Sequence, residues 1–422
     1  MTNTDPATKS GYKYYLLGTL TVILMFNLVD RWALGIVLQD IKRDLALTDT
    51  QLGLLTGIAF ALFYSVLGLP IARWADRGDR IAVIAITAAI WSVCVALCGV
   101  ATSFVQLLVI RVGVGIGEAG AIPPAHSLIA SAFSRDERAR ATGLYNLGGA
   151  ASFVFGLFGA GWINQFYGWR VTFFVMGITG FVLALVAWLT LREPRRGLPP
   201  VVAEPGDNLF AVCRHLWSIQ TFRQILFCLS VLYFFGYGVA QWQPAFFMRS
   251  YGLSSGQVGT YMAVAYGVGS IAGALLGGEW ANRFARGNES LQLKGAAMAL
   301  LCATFATFLA FAVGNVILSL VFVGIGLLTG YFVNGPMFGT LQTLIPERMR
   351  ATAVALVFLV ANLIGMGFGP LVTGALSDAL APTFGNQSLK YALLTMSPGY
   401  FLAVWLAWRA SISVRKVIPG LT

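Results

Sequence analysis

Apolar residues run along this chain in long unbroken stretches that do not alternate as a strand would. A bilayer core about 30 Å thick takes roughly 20 residues of α-helix. Twelve stretches reach that length: 14–38, 49–71, 81–100, 105–129, 139–163, 170–190, 222–247, 256–279, 292–312, 315–341, 350–375 and 389–410. The pattern predicts an all-α membrane protein with twelve transmembrane helices. An outer-membrane barrel is excluded, because its strands alternate and are short. A polar tail, 1–13, precedes the first span, and another, 411–422, follows the last.

Spans six and seven are joined by residues 191–221. That stretch opens with Glu193-Pro194-Arg195-Arg196 and Pro199-Pro200, then reads Leu209, Phe210, Cys213, Leu216 and Trp217. These apolar positions share one helical face, with Arg214 and His215 off it. They predict a short amphipathic helix on the inner membrane surface, the alternative being a flexible linker. On either side stand two six-helix halves, 14–190 and 222–410. The halves repeat one another. ERARAT at 137–142 returns as ERMRAT at 347–352, WADR at 74–77 as WANR at 280–283, and Gln51-Leu52-Gly53 as Gln257-Val258-Gly259. The offsets all lie close to half the chain. Like loops in like places give a 6+6 pseudo-two-fold.

Composition supports the same class. Hydrophobic residues make up 57% of the 422 and charged residues only 11%, too few for a soluble domain. Mean hydropathy is +0.76. The formal charge of +11 would suit a nucleic-acid partner in a soluble protein. Here the basic residues lie in short loops. With the N-terminus inside, 21 Lys and Arg fall on the cytoplasmic side and 5 outside, while Arg31 and Arg111 lie within spans. That bias predicts an inner-membrane protein with both termini cytoplasmic, and no nucleic-acid partner. The five cysteines show no zinc spacing and read as buried thiols without a disulfide.

The loop Ala72-Arg73-Trp74-Ala75-Asp76-Arg77-Gly78-Asp79-Arg80 resembles the loop 2–3 signature of the major facilitator superfamily. There an acid and the basic residues after it latch the halves on the cytoplasmic side. This chain departs from the pattern at Asp79, where Gly is usual, and the second copy has Asn282 for the acid. Finer details resemble the Spinster-type lipid transporters: Asp30-Arg31, Asp49-Thr50-Gln51-Leu52-Gly53-Leu54-Leu55-Thr56-Gly57, Arg111, Gly117-Glu118-Ala119-Gly120, Gly168-Trp169-Arg170 and Glu193-Pro194. The short tails and compact loops suit a bacterial member. The resemblance implies the 6+6 major facilitator fold, alternating access, and a lysophospholipid or sphingosine-1-phosphate-like cargo. It also implies that helices 1 and 4 line the central cavity.

Four ionisable residues stand at membrane depth on sequence grounds alone: Asp30, Arg31, Arg111 and Glu118. Each costs about 2.5–3.5 kcal/mol at a helix centre, so such residues mark ion or substrate paths. Arg111 and Glu118 are two turns apart and face the same way. Burial disfavours an ionised carboxylate, and a neighbouring guanidinium favours it. If an anionic headgroup engages the arginine, the carboxylate loses its partner and takes a proton more readily. Asp30 and Glu118 are therefore expected to carry protons. Arg31 and Arg111 are expected to bind the headgroup or to serve as charge partners. The alternative is an ion-pair network that only orients helices 1 and 4.

Candidate cavity residues are Tyr64, Tyr145, Asn146, Phe234, Tyr237, Gln241, Tyr266, Phe332 and Asn334. The second half has no charge at mid-depth, which suits a cargo with an ionic head and an apolar tail. Asp76, Arg77, Arg80 and Arg138 are the candidate cytoplasmic gate. Gly115–Gly120 spells GxGxxG, but it lies inside a membrane helix with no strand before it, so helix packing is the better reading. Nothing in the chain has the spacing of a nucleophile–base pair, a metal site or an ATP loop, so an enzyme is not expected. The expected protein is a monomeric secondary transporter without a cofactor, its partners the bilayer, an amphipathic anion and a coupling proton. The competing readings are a small organic anion or drug carrier, and a non-transporting sensor of the same fold.

Overall fold

The computed structural model describes residues 10–194 and 209–417, and among these the chain is helical apart from short connections, without strands. The first helices are α1 (Ser10–Leu45), α2 (Asp49–Thr56), α3 (Ile58–Arg77), α4 (Arg80–Cys98), α5 (Phe104–Glu118) and α6 (Ile122–Ala132). Then follow α7 (Arg135–Phe153), α8 (Ala160–Thr190) and α9 (Leu209–Ser218). The rest are α10 (Gln220–Tyr251), α11 (Ser255–Phe284), α12 (Glu289–Ala312), α13 (Val316–Phe332), α14 (Asn334–Leu344), α15 (Glu347–Phe384), α16 (Ser388–Met396) and α17 (Tyr400–Ser413).

Among the described residues, ten helical stretches are long and apolar enough to cross a membrane. Two of them, Arg135–Thr190 and Glu347–Lys416, are long enough for two crossings each, which makes twelve. In the first, Gly168 has φ +81°, a backbone that turns the chain between spans five and six. Large apolar side chains such as Val105, Phe166 and Leu275 are exposed, which is the surface a lipid-solvated protein needs.

Polar side chains set the helix starts. Asp79 Oδ1 accepts from the Ala82 amide at 2.9 Å, and Ser103, Asn288 and Asn315 cap α5, α12 and α13 in the same way. Thr48 and Gln51 form a capping box on α2, and Ser134 and Glu137 form one on α7. The predicted span 49–71 is broken at Gly57. The predicted span 105–129 is broken after Glu118, and Pro123 and Pro124 then open α6. A six-residue π-turn, Val154–Gly159, separates α7 from α8.

The described residues form two compact units, one of 10–47, 58–194 and 254–260, the other of 48–57, 209–253 and 261–417. The second unit includes 48–57 from the first half of the chain, and the first unit includes 254–260 from the second half. These are the segments that carry the repeated Gln-x-Gly. Within the first unit α1 packs along α7 and α8, α4 along α5 and α8, and α3 along α5. Within the second, α10 packs along α15 and α17, α12 along α13 and α17, and α2 along α15. Gly53 lies so close to α15 that a Cβ there would be 2.5 Å from the Pro370 carbonyl oxygen. Small residues let membrane helices approach in this way.

The amphipathic segment is α9, but its buried positions are Val212 and Leu216, with Trp217 half exposed. Val212 and Leu216 join the core cluster of the second unit that includes Phe222 and Leu229, and the side chains of Leu209 and Phe210 lie outside the described residues. Trp217 meets Phe227 edge-on at 6.0 Å.

Candidate functional site

In the first unit, helix geometry brings Asp30, Arg31, Arg111 and Glu118 into one cluster. Arg111 Nη1 donates to Asp30 Oδ2 at 2.9 Å. Arg31 Nε donates to Glu118 Oε2 at 2.8 Å, and its Nη2 lies 2.6 Å from the same oxygen. Asp30 and Arg31 are sequence neighbours on α1, so they point about 100° apart and take different partners on α5. Arg111 and Glu118, two turns apart, receive them. The side chains of Asp30, Arg111 and Glu118 are 2%, 3% and 0% exposed, whereas that of Arg31 is 16% exposed. Arg31 also lies over the rings of Phe60 and Tyr64, at 4.6 and 4.7 Å, and these rings stack on each other. Cation–π contact of this kind holds a guanidinium without neutralising it.

The glycines of α5 make the cluster possible. A Cβ on Gly117 would sit 2.5 Å from the Trp91 amide nitrogen, so only glycine lets α5 press on α4 there. GxGxxG is thus a packing stripe, as its place inside a membrane helix required. Asn27 Nδ2 reaches the Glu118 carbonyl at 3.4 Å and ties α1 to the point where α5 ends.

The other expected residues are placed as follows. Tyr64 belongs to the aromatic wall of the charge cluster. Tyr145 is buried edge-on to His126 at 5.1 Å, and Asn146 is exposed. In the second unit, buried Tyr266 donates to Gln243 Oε1 at 2.7 Å. Tyr237 meets Tyr233 edge-on at 5.8 Å, Phe234 meets Phe235 at 5.0 Å, and Phe332 lies against Trp280 at 5.6 Å. Gln241 and Asn334 are partly buried, and Asn334 Oδ1 meets no donor among the described residues.

Arg80 has other partners than the latch expected of it. Its side chain is wholly buried inside the first unit, ion-paired to Glu193 and bonded to Ser127 and Ser131. An arginine enclosed there and neutralised by a buried acid staples the ends of α4, α6 and α8 together. Arg138 caps α6, its Nε donating to the Phe133 carbonyl at 3.2 Å. Arg77 is exposed, and the side chain of Asp76 lies outside the described residues.

Two further clusters escaped the sequence reading. In the second unit, Arg249 holds Asp49 by two bonds of 2.7 Å, and Ser377 Oγ donates to the same carboxylate at 2.6 Å. Asp378 accepts from the amides of Asp49 and Thr50 at 3.0 and 2.7 Å, capping α2. In the first unit, Asp44 binds Arg170 and accepts from Trp169 Nε1 at 3.2 Å, which accounts for the Gly168-Trp169-Arg170 motif. All these residues sit at span ends, where loop charge is the ordinary explanation and so conceals a specific partner.

A chain of twelve apolar helices in two repeated halves, with a neutralised charge cluster buried in one half, defines a secondary-transporter class. The profile of the Major Facilitator Superfamily matches residues 20–370, and the chain belongs to that family of transporters, with its alternating-access fold. The chain is 32% identical, over 99% of its own length and 97% of the relative's, to an "MFS-type efflux pump" of Mycolicibacterium smegmatis. It is 24% identical to the "Probable L-galactonate transporter" of Escherichia coli, covering 89% of this chain and 85% of that one. Its structure resembles that of "A Bacterial Homolog to Human Lysosomal Transporter, Spinster, in Inward-facing And Unoccupied Conformation". The TM-score is 0.86 at 28% identity, over 98% of this chain and 100% of that one.

Proposed function

We propose that this transporter carries an amphipathic anionic lipid of the lysophospholipid or sphingosine-1-phosphate type, coupled to protons, across the inner membrane with both termini cytoplasmic. The observation that carries the reading is the different exposure of the two arginines. Arg31 is reachable and held over two rings, while Arg111 is enclosed with Asp30. Arg31 is thus the anion ligand, and Arg111 positions Asp30. An arriving phosphate competes with Glu118 for Arg31. Glu118, losing its partner in a buried site, takes up a proton, and the two occupancies become linked. Phe60 and Tyr64 give the headgroup's neighbour an apolar wall.

A second reading has its own support. The second unit offers hydroxyl and amide groups, Tyr266 with Gln243 among them, which suit a hydroxylated anion better than an acyl tail. A sugar acid, the class named for the Escherichia coli relative, is such an anion. Proteoliposomes under an imposed pH gradient separate the two. Labelled lysophosphatidate and sphingosine-1-phosphate are compared with labelled galactonate, in wild type, Glu118→Gln and Arg31→Ala. Gradient-driven lipid flux lost in both variants is the expected result. Flux of galactonate alone moves the cargo to sugar acids, and flux indifferent to pH and to Glu118 removes the coupling.

A further inference from the structure

The outer side of α17 is apolar, and it meets cations near the helix end. Phe401, Trp405, Trp408 and Ile412 are exposed, and their spacing of four, three and four residues puts them on one helical face. Phe401 meets exposed Phe305 of α12 edge-on at 5.8 Å, so the apolar surface continues onto α12. Lys294 Nζ of α12 lies over the Trp408 ring at 5.7 Å, and the Arg409 guanidinium over the Trp405 ring at 5.6 Å. Arg415, in the 3₁₀ turn Val414–Lys416 that follows α17, donates through Nε to Ser290 Oγ at 2.9 Å. Ser290 Oγ in turn donates to the Ser411 carbonyl at 2.7 Å. Ser290 and Lys294 are one turn apart on α12, so Arg415 and Lys294 reach the same seam between α12 and α17.

Lys294, Arg409, Arg415 and Lys416 have no carboxylate partner among the described residues. Glu289, the only acid of α12, is buried in its first turn, and α17 and the turn after it contain none. Topology alone asks for positive charge in loops. Lys294 and Arg409 instead lie inside helices, about one turn from their ends, and both are held over the rings of exposed tryptophans. Beyond its bond to Ser290, Arg415 keeps the donors of both Nη groups, and Lys294 keeps its ammonium protons. Free cationic donors therefore border a wall that faces hydrocarbon. A phosphodiester carrying acyl chains matches both parts, whereas a free phosphate matches only the donors.

We propose that the seam of α12 and α17 binds the headgroup of an anionic phospholipid of the phosphatidylglycerol kind. Its phosphate lies on Lys294 and Arg415, and its chains run along Trp408, Trp405 and Phe401. Arg409 and Lys416 add charge at the margin. This lipid is a resident of the bilayer and not the cargo. All its contacts lie in the second unit, whereas the candidate cargo ligand Arg31 lies in the first. The site stands whatever the cargo is.

The test uses the full chain in a neutral detergent, titrated with phosphatidylglycerol, phosphatidylcholine or inorganic phosphate, with the thermal unfolding midpoint as the readout. Phosphatidylglycerol is expected to raise the midpoint, and the other two to leave it in place. Lys294→Gln combined with Arg415→Gln is expected to lose most of that rise. Arg135→Gln combined with Arg140→Gln, which removes the same charge from exposed positions of α7, is expected to keep it, as is Arg31→Ala. A rise that survives in the first pair, or that falls equally in the second, overturns the site. So does the absence of any rise with phosphatidylglycerol, or an equal rise with phosphatidylcholine or with phosphate alone. A rise lost in Arg31→Ala puts the lipid at the cargo cluster and also overturns it. If the paired variant does not fold, Lys294→Gln alone is expected to weaken the rise and Lys294→Arg to retain it.

Discussion

The fourth helix of each half is built to the same plan with different chemistry. In the first unit Ser103 caps α5, which breaks before α6, with Pro124 in the first turn beyond the break. In the second, 212 residues later, Asn315 caps α13, which breaks before α14, with Pro336 in the same place. The next helix also repeats. Arg138 Nε donates to the Phe133 carbonyl at 3.2 Å, and Arg350 Nε to that of Ile345 at 3.1 Å. Each arginine closes the end of the broken helix before it. The matched hexapeptides lie 210 apart in sequence, but the capping arginines lie 212 apart. Structural equivalence therefore slips two residues from the motif match. At that offset Arg111 corresponds to Val323, and Glu118 to Gly330. The duplicated backbone device is kept in both units, and the charge is kept in one. Duplication supplies two broken helices, while the buried charges Asp30, Arg31, Arg111 and Glu118 lie in a single copy.

That contrast breaks most sharply at Arg111. Arg111→Ala leaves Asp30 buried without its partner and is expected to cost about 3–5 kcal/mol of stability. Val323→Ala, at the matching place, removes only apolar packing and is expected to cost about 1 kcal/mol. Thermal unfolding of the two variants in the same lipid reads the difference, and equal losses would contradict a charge-bearing role confined to one unit.

A smaller effect is expected at the exchanged segment. Asp49 and Arg249 are held in bidentate geometry within the second unit. A double-mutant cycle with Asp49→Asn and Arg249→Gln should show a coupling of about 1–3 kcal/mol. The corresponding segment 254–260 docks in the first unit through neutral contacts, Ser255 Oγ to the Gly161 carbonyl and Trp162 Nε1 to Thr260 Oγ1. A Trp162→Phe and Thr260→Val cycle should give less, about 0.5–1.5 kcal/mol. The smallest effect tests the symmetry itself. Arg138→Ala and Arg350→Ala should each lose about 0.5–1.5 kcal/mol, and by similar amounts. A large disparity would mean that the two caps are not equivalent.

The twelve spans, the repeat and the four intramembrane charges were legible because each is written in local terms: run length, self-similarity, and a charge where hydrocarbon forbids it. Arg80 shows where that legibility ended. Read as one arginine among many in a cytoplasmic loop, it looked like part of a gate, yet its partner is Glu193, more than a hundred residues away. Asp49 and Asp378 meet the same limit, being ordinary span-end acids in the sequence until α2 and α15 meet.

By itself the sequence determined the class of this protein, since hydrogen-bond saturation in lipid leaves only helices and closed barrels, and long unbroken apolar runs suit the helix alone. It also determined that Asp30, Arg31, Arg111 and Glu118 are exceptional, because burying a charge is expensive wherever it happens. Tertiary structure alone decided which acid meets which arginine, which arginine stays reachable, and which short segments change units. Those outcomes depend on the rotation and close approach of helices distant in sequence. The glycines of α5 and α2 permit that approach, but no local pattern states which partner it brings.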